Sequence, residues 1–369
     1  GGGGGKVGVI LPDTKSSVRW ETKDRPALEA AFKQAGVEYT IQNAEGSADT
    51  MATIADGMIA DGVTVLAIVN LDSDSGASIQ EKAAAQGVKT IDYDRLTLGG
   101  SADVYVSFDN NVVGELQGQG LVDCLGGRPA NVVFLNGSPT DNNATLFSEG
   151  AHSVVDASPG ITIVGEQAVP DWDNDKAVTI FEQLYTAADG RVDGVYAAND
   201  GLAGSVISIL EKNKRAGQVP VTGQDATVEG LQNILAGTQC MTVYKAVRTE
   251  AQAASLEQTL KHARCKHDEL TAIREGFASL YNDRAIAYRV HSNFDHEAVA
   301  REPADGVDET WIHVQLATMG DGKAVAEAAA VLPHALTDTR AVQLDTPAMN
   351  AALVGLANAL DADHNGRFP

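Results

Sequence analysis

The stretch Lys89–Gly100, KTIDYDRLTLGG, begins as a buried β-strand and finishes on acid, aromatic, acid and base: Asp92, Tyr93, Asp94 and Arg95. A strand that has entered a core ordinarily leaves it through another apolar residue or a Gly/Asn turn. This one delivers an ion pair, which is tolerated under cover only where further polar groups complete its hydrogen bonds. The charged end therefore marks the place where a strand hands its last side chains to a cleft.

The same design repeats outward from this point. From Lys6 to about Asp225, short β-rich runs alternate with amphipathic helical segments, the pattern of a parallel sheet covered on both faces. KVGVIL, VEYTIQN, VTVLAIVN, VKTIDYD and VYVSFD form one set of strands, and ANVVFLNG, ITIVGEQAV, VDGVYAAND and VPVTGQD form a second. Helices are predicted over Asp24–Gln34, with Asp24 as N-cap and Gly36 past the end, and over Ser47–Ala60, capped by Ser47 and stopped by Gly62. The expected class is α/β, with two Rossmann-like parallel sheets.

Size and charge narrow the function. A chain of 369 residues exceeds one ordinary core and suits two lobes of roughly 100 to 200 residues each. With 27 Lys+Arg against 50 Asp+Glu, the formal charge of −23 repels nucleic acid and anionic lipid. No apolar run approaches the ~20 residues of a membrane span. The opening GGGGG reads as a flexible tether or an expression remnant, with any secretion signal already absent, so the N-terminus itself does not decide export. Cys124, Cys240 and Cys265 are too few for a disulfide scaffold and too far apart for a metal knuckle; a single Cys124–Cys240 bridge and free thiols are both open.

In parallel sheets ligands bind beyond the carboxyl ends of the strands. Read there, the sequence gives ILPDTKSSVRW, IVNLDSDS, IDYDR, LNGSPTDNN, VPDWDND, AANDG and TGQDA, nearly all carrying Asp, Asn, Arg or Trp. Carboxylates, carboxamides and guanidinium groups match hydroxyls that both give and accept hydrogen bonds. Trp20 and Trp172 add flat apolar faces, and Arg19 and Arg95 add fork-shaped donors. The inventory suits a neutral sugar better than a phosphate. Singly, each residue has a plainer reading: Asp24 and Asp49 as caps or solvated surface, Trp172 as packing, and Asp94, Asn199 and Asp225 as capping groups at βα junctions. Their recurrence at successive strand ends favours a shared lining.

Enzymatic readings find less support. No Gly-x-Ser-x-Gly, Ser-x-x-Lys or His-Glu-x-x-His occurs. GELQGQGLVDC imitates a dinucleotide fingerprint but lies in a helical stretch, not directly after a strand. Asp92 and Asp94, at i and i+2 on a strand, would share one face and could not flank a substrate as glycosidase carboxylates do.

The ordered series RWETKDR, DGVTVLAIV, YDR, YVSFDNNVVGELQG, GSPTDNNA, AND, GQDA and GTQCMTVYK, over about Lys6–Ala254, resembles the periplasmic (type I) sugar-binding proteins of ABC transporters, on their xylose- and multiple-sugar-binding branch. The resemblance implies a monosaccharide (xylose, glucose or similar) enclosed between two hinged lobes and delivered to an ABC permease, with no catalysis, cofactor, metal or nucleic acid. It implies an extracytoplasmic monomer, attached to a membrane only through a lipid anchor. Ligand contacts would fall on Arg19, Trp20, Asp94, Arg95, Asn143, Trp172, Asn199, Asp225 and Lys245, the last on resemblance alone. The expected lobes are 6–109 with about 245–262, and 110–242. SFDNN and CMTVYK would be the first two of three hinge crossings.

Residues 263–369 lack the closing apolar strand that the resemblance leads one to expect. They read as a replacement closing segment, an added domain or a fusion, with ETWIHVQLAT a strand and GKAVAEAAAVL and TPAMNAALVGLANALDA helices. Most of the histidines lie in this tail, and HARCKH offers His262, Cys265 and His267, whose spacing fits a helix end with a solvated face as well as a metal site; DADHNGRFP stops short of a complete calcium loop and reads as a C-terminal turn. Two other functions fit the same outline: a sugar-sensing receptor or regulator on this fold, and an enzyme with its catalytic groups in the tail.

Overall fold

The computed structural model describes residues 5–262, 287–291 and 314–315. They fall into two units: 5–109 with 139–143 and 247–262, and 110–138 with 144–246 and the two late segments.

The first unit runs β1 (Lys6–Leu11), α1 (Arg25–Ala35), β2 (Glu38–Asn43), α2 (Ala48–Ala60), β3 (Val65–Ile68), α3 (Ser73–Ala85), β4 (Lys89–Tyr93) and β5 (Val104–Val106). Its five strands are all parallel, in the order β2-β1-β3-β4-β5. β3 is buried throughout, as expected of a central strand covered on both faces. Leu28, Phe32 and Trp20 pack on one face of the sheet, while Met51, Met58, Ile79 and Ala83 pack on the other. Ser47 caps α2 by accepting a bond from the Thr50 amide at 3.2 Å, and Gly36 and Gly62 take left-handed φ of 67° and 80° past their helices, as the sequence predicts.

Asp24 is a correction. The chain enters α1 from a π-turn over Trp20–Asp24, and the Asp24 side chain makes no capping bond; it lies fully buried. An acid just before a helix reads locally as a cap, but a buried arginine one turn earlier claims it.

The second unit begins with α4 (Asn110–Leu125) and continues through β6 (Ala130–Asn136), α5 (Asn142–Val155), β7 (Ile161–Ala168), α6 (Asn174–Ala187), β8 (Gly194–Ala197), α7 (Asp200–Lys212), α8 (Val228–Leu235) and β9 (Met241–Lys245); the first turn of α5 belongs to the first unit. Helix α9 (Val247–His262) then packs beside α1, placing Ala251 and Ala254 in the first unit's core. β7, β6 and β8 form a parallel sheet in that order. The predicted strand VPVTGQD is reduced to two isolated bridges, Val195 to Val221 and Gln224 to Val243: Pro220 has no N–H to extend the ladder backward, and beyond Val221 the Ala197 N–H donates to Thr222 Oγ1 at 3.0 Å in place of the main chain. It nevertheless links β8 to β9: Thr222 N donates to Val195 O at 3.0 Å and Val243 N to Gly223 O at 3.1 Å. β10 (Ala287–His291) pairs antiparallel with β9, and β11 (Val314–Gln315), inside ETWIHVQLAT, pairs parallel with β10. The remainder of the tail, including DADHNGRFP and the side chains of HARCKH, lies outside the described residues.

Two features fasten the second unit. Cys124, near the end of α4, is disulfide-bonded to Cys240, just before β9, with Cα atoms 6.5 Å apart. And α4 meets α5 backbone to backbone: a Cβ on Gly114 would collide with the Phe147 carbonyl, one on Gly118 would sit 2.8 Å from the Ala151 carbonyl oxygen, and one on Gly150 would strike the Asn111 carbonyl. Two of the glycines that imitate a nucleotide fingerprint, Gly114 and Gly118, thus serve helix packing. No helix among the described residues is long and apolar enough to cross a membrane.

Candidate functional site

In the first unit, β4 ends at Tyr93 and Asp94 turns out of it with φ of 63°, its N–H donating to Val106 O at 2.8 Å. A left-handed backbone is uncommon for a non-glycine residue, though Asp accepts it better than most. The turn brings the carboxylate to Arg19, whose Nη1 lies 3.0 Å from Asp94 Oδ2. Arg19 also forks onto Asp24, with Nε donating at 2.9 Å and Nη2 at 2.8 Å, and its Nη2 donates to Glu250 Oε2 at 3.1 Å. Tyr93 Oη donates to Asp24 Oδ1 at 3.0 Å. Arg95 Nε lies 2.9 Å from Asp141 Oδ2, and Arg95 Nη1 donates to Asn70 O at 3.1 Å. Asn143 Nδ2 donates to both the backbone and side-chain oxygens of Asp94, each at 3.0 Å.

Both guanidinium groups lean on Trp20, at 4.4 Å for Arg19 and 5.4 Å for Arg95, and the indole N–H donates to Ser16 Oγ at 3.0 Å. Five of the residues expected from sequence, Arg19, Trp20, Asp94, Arg95 and Asn143, are therefore brought together, and each is at most 5% exposed. Burial works against the charge on Arg19, but Asp24, Asp94 and Glu250 outweigh it and hold its pKa well above the ordinary value. Burial raises the Asp24 carboxyl, against the pull of Arg19, and raises the Tyr93 phenol, so that Tyr93 stays a donor.

Asp92, the other acid of the opening stretch, is taken up locally. It accepts from Gln80 Nε2 at 2.7 Å, Thr97 N at 2.7 Å and Thr97 Oγ1 at 2.8 Å, and so fastens the following loop.

In the second unit, Asp225 follows the 220–224 segment with φ of 92°, and its Oδ1 lies 3.3 Å from Lys245 Nζ at the end of β9. Both side chains are only 5% exposed. Lys245 Nζ stands 5.5 Å from the centre of the Phe147 ring, which meets Trp172 edge-on at 6.5 Å. Trp172 has φ of 54° and is buried against Gly137, where a Cβ would strike the indole. Asn199, two residues past β8, caps α7, accepting from Leu202 N at 2.9 Å.

Sequence reasoning missed Asp24, Asp141, Glu250, Phe147 and Gly137. Asp141 sat in view inside PTDNN. Glu250, however, reaches Arg19 across 231 positions of sequence and carries no local signal.

The chain belongs to the periplasmic binding protein domain family, whose model matches residues 7–261. It is 36% identical over 253 residues to the D-xylose-binding periplasmic protein of Escherichia coli K12, an alignment covering 68% of this chain and 76% of that protein. It is 36% identical over 266 residues to the multiple sugar-binding periplasmic protein SbpA of Azospirillum brasilense, covering 67% and 74%. Among solved structures it resembles the carbohydrate transporter solute binding protein of Chloroflexus aurantiacus in complex with D-glucose, with a TM-score of 0.64 and 31% identity over 70% of this chain and 84% of that one. These matches bear out the family resemblance and the α/β class read from the sequence.

Proposed function

We propose that this chain is an extracytoplasmic solute-binding protein that captures a neutral monosaccharide of the xylose or glucose class without turnover and delivers it to the permease of an ABC importer. The observation that carries the reading is the gathering of Arg19, Trp20, Asp94, Arg95 and Asn143 beyond the carboxyl ends of parallel strands. Ligand contacts are assigned to these five residues and to Trp172, Asn199, Asp225 and Lys245 in the second unit. Every cation in the set faces a carboxylate: Arg19 faces Asp94, Arg95 faces Asp141 and Lys245 faces Asp225. An anionic sugar would meet an excess of negative charge, whereas hydroxyls can both accept from the cations and donate to the acids.

The sugars printed for the relatives, D-xylose and D-glucose, support the same class. The Cys124–Cys240 bridge agrees with an oxidising compartment.

Calorimetry with D-xylose, D-glucose, other pentoses and hexoses, and a uronic acid tests the reading. A neutral pentose or hexose should bind at micromolar concentration, about 8 kcal/mol, and the uronic acid far more weakly. Absence of heat from every neutral sugar would sink it.

A further inference from the structure

A buried charge to which the binding reading gives no part is Asp200, the residue after Asn199, with 1% of its surface exposed. Its carboxylate accepts four hydrogen bonds from three residues of the second unit. Thr227 N and Thr227 Oγ1 donate to Oδ2 at 2.8 and 3.0 Å, and Gln239 Nε2 and Thr242 Oγ1 donate to Oδ1, each at 2.8 Å. Thr242 Oγ1 in turn accepts from Ala226 N at 3.2 Å, and Asp200 N donates to Gln224 O at 3.1 Å. Gly223 and Gly230 leave room for the carboxyl, since a Cβ on either would collide with it.

These bonds surround residues 224–227, where Asp225 and Ala226 hold φ of 92° and 45° in succession. Two consecutive non-glycine residues in that region persist only where the surroundings over-determine them. The strained pair is what sets the Asp225 carboxylate opposite Lys245. Burial, with a contribution from Asp225, pushes the Asp200 carboxyl up to about 7, while the Thr227, Gln239 and Thr242 donors work against that rise.

We propose that Asp200 is a positioning residue for sugar binding, its carboxylate holding the 224–227 loop in the strained shape that presents Asp225 to the ligand. The proposal rests on the sugar-binding reading above and adds a residue that touches no sugar itself.

The test compares D200N, T242V and T242S with wild type by calorimetry against whichever neutral sugar wild type binds, with thermal unfolding of each variant measured in parallel. Asp200→Asn turns one acceptor oxygen into an NH₂ facing donors and should weaken binding about tenfold, or about 1.4 kcal/mol. Thr242→Val should weaken it several-fold, whereas Thr242→Ser, which keeps the hydroxyl, should restore wild-type affinity. In a D225N background the effect of Asp200→Asn should shrink, because the residue it positions has been altered.

Variants that melt earlier yet bind as tightly as wild type would overturn the proposal, as would an undiminished Asp200→Asn effect in D225N. Should D200N not fold, the T242V and T242S pair decides. Wild type that binds no neutral sugar sinks the functional reading itself, a result distinct from unaffected variants of a binding-competent protein.

Discussion

The two units reach similar strand-end chemistry by different electrostatic means. In the first, two guanidinium groups are divided among four carboxylates: Arg19 is shared by Asp24, Asp94 and Glu250, and Arg95 faces Asp141. In the second, one ion pair, Asp225 with Lys245, sits on a loop held by neutral donors around a single buried acid. A guanidinium with five N–H groups can satisfy three carboxylates at once, which an ammonium cannot do in one plane. The first unit therefore concentrates its risk in one cation, and the second spreads it over a loop.

The comparison breaks most sharply at Arg19. Arg19→Ala strands three buried acids and should cost roughly 3–5 kcal/mol in denaturant unfolding; a loss below about 1 kcal/mol, the scale of a surface pair, would mean that the acids are not held by it. The second unit depends more on its covalent tie. The disulfide spans a sequence separation of 116, and Cys240→Ser should lower stability by about 2–5 kcal/mol. A smaller effect is expected at Gly137, where Gly137→Ala pushes on the Trp172 indole. That substitution should cost about 1–3 kcal/mol and shift tryptophan fluorescence, an unchanged spectrum counting against the contact.

The last test is a pH dependence in the second unit. The Asp200 carboxyl is raised from 3.8 to about 7 in the folded state. Between those values the native state keeps a proton that the unfolded chain has released. Its contribution to stability is therefore largest at low pH and falls as pH rises toward 7. Wild type should lose stability relative to D200N on going from pH 4 to pH 7, and a gap constant across that range would remove the burial effect from the account.

Much of this was legible because it is local. Apolar runs ending in Asp, Asn or Arg gave both the strands and their functional ends, and Ser47, Gly36 and Gly62 set helix boundaries through chemistry that acts over three or four residues. Asp24 escapes a local reading because it ends a π-turn, Trp20–Asp24, that no helical period predicts, and its partner Arg19 stands just before that turn. Glu250 was invisible for a stronger reason: only the packing of α9 beside α1 brings it to Arg19. Asp200 resembles any acid in a helix's first turn until Thr227, Gln239 and Thr242 are folded around it. VPVTGQD reads as a full strand, but Pro220 and the Thr222 hydroxyl leave it as two bridges.

The backbone seam of α4 and α5 has a mechanical consequence. Where side chains mediate a contact, a rotamer hop can absorb an intruding atom, but where main chains touch, nothing can hop and a whole helix must slide. Gly120, two residues beyond Gly118, sits where a Cβ would press within 2.9 Å of Met241, the first residue of β9, whose last residue is Lys245. A methyl group there can be taken up by a turn of the flexible Met241 side chain, whereas the same group at Gly114 or Gly150 would have to drive α4 and α5 apart.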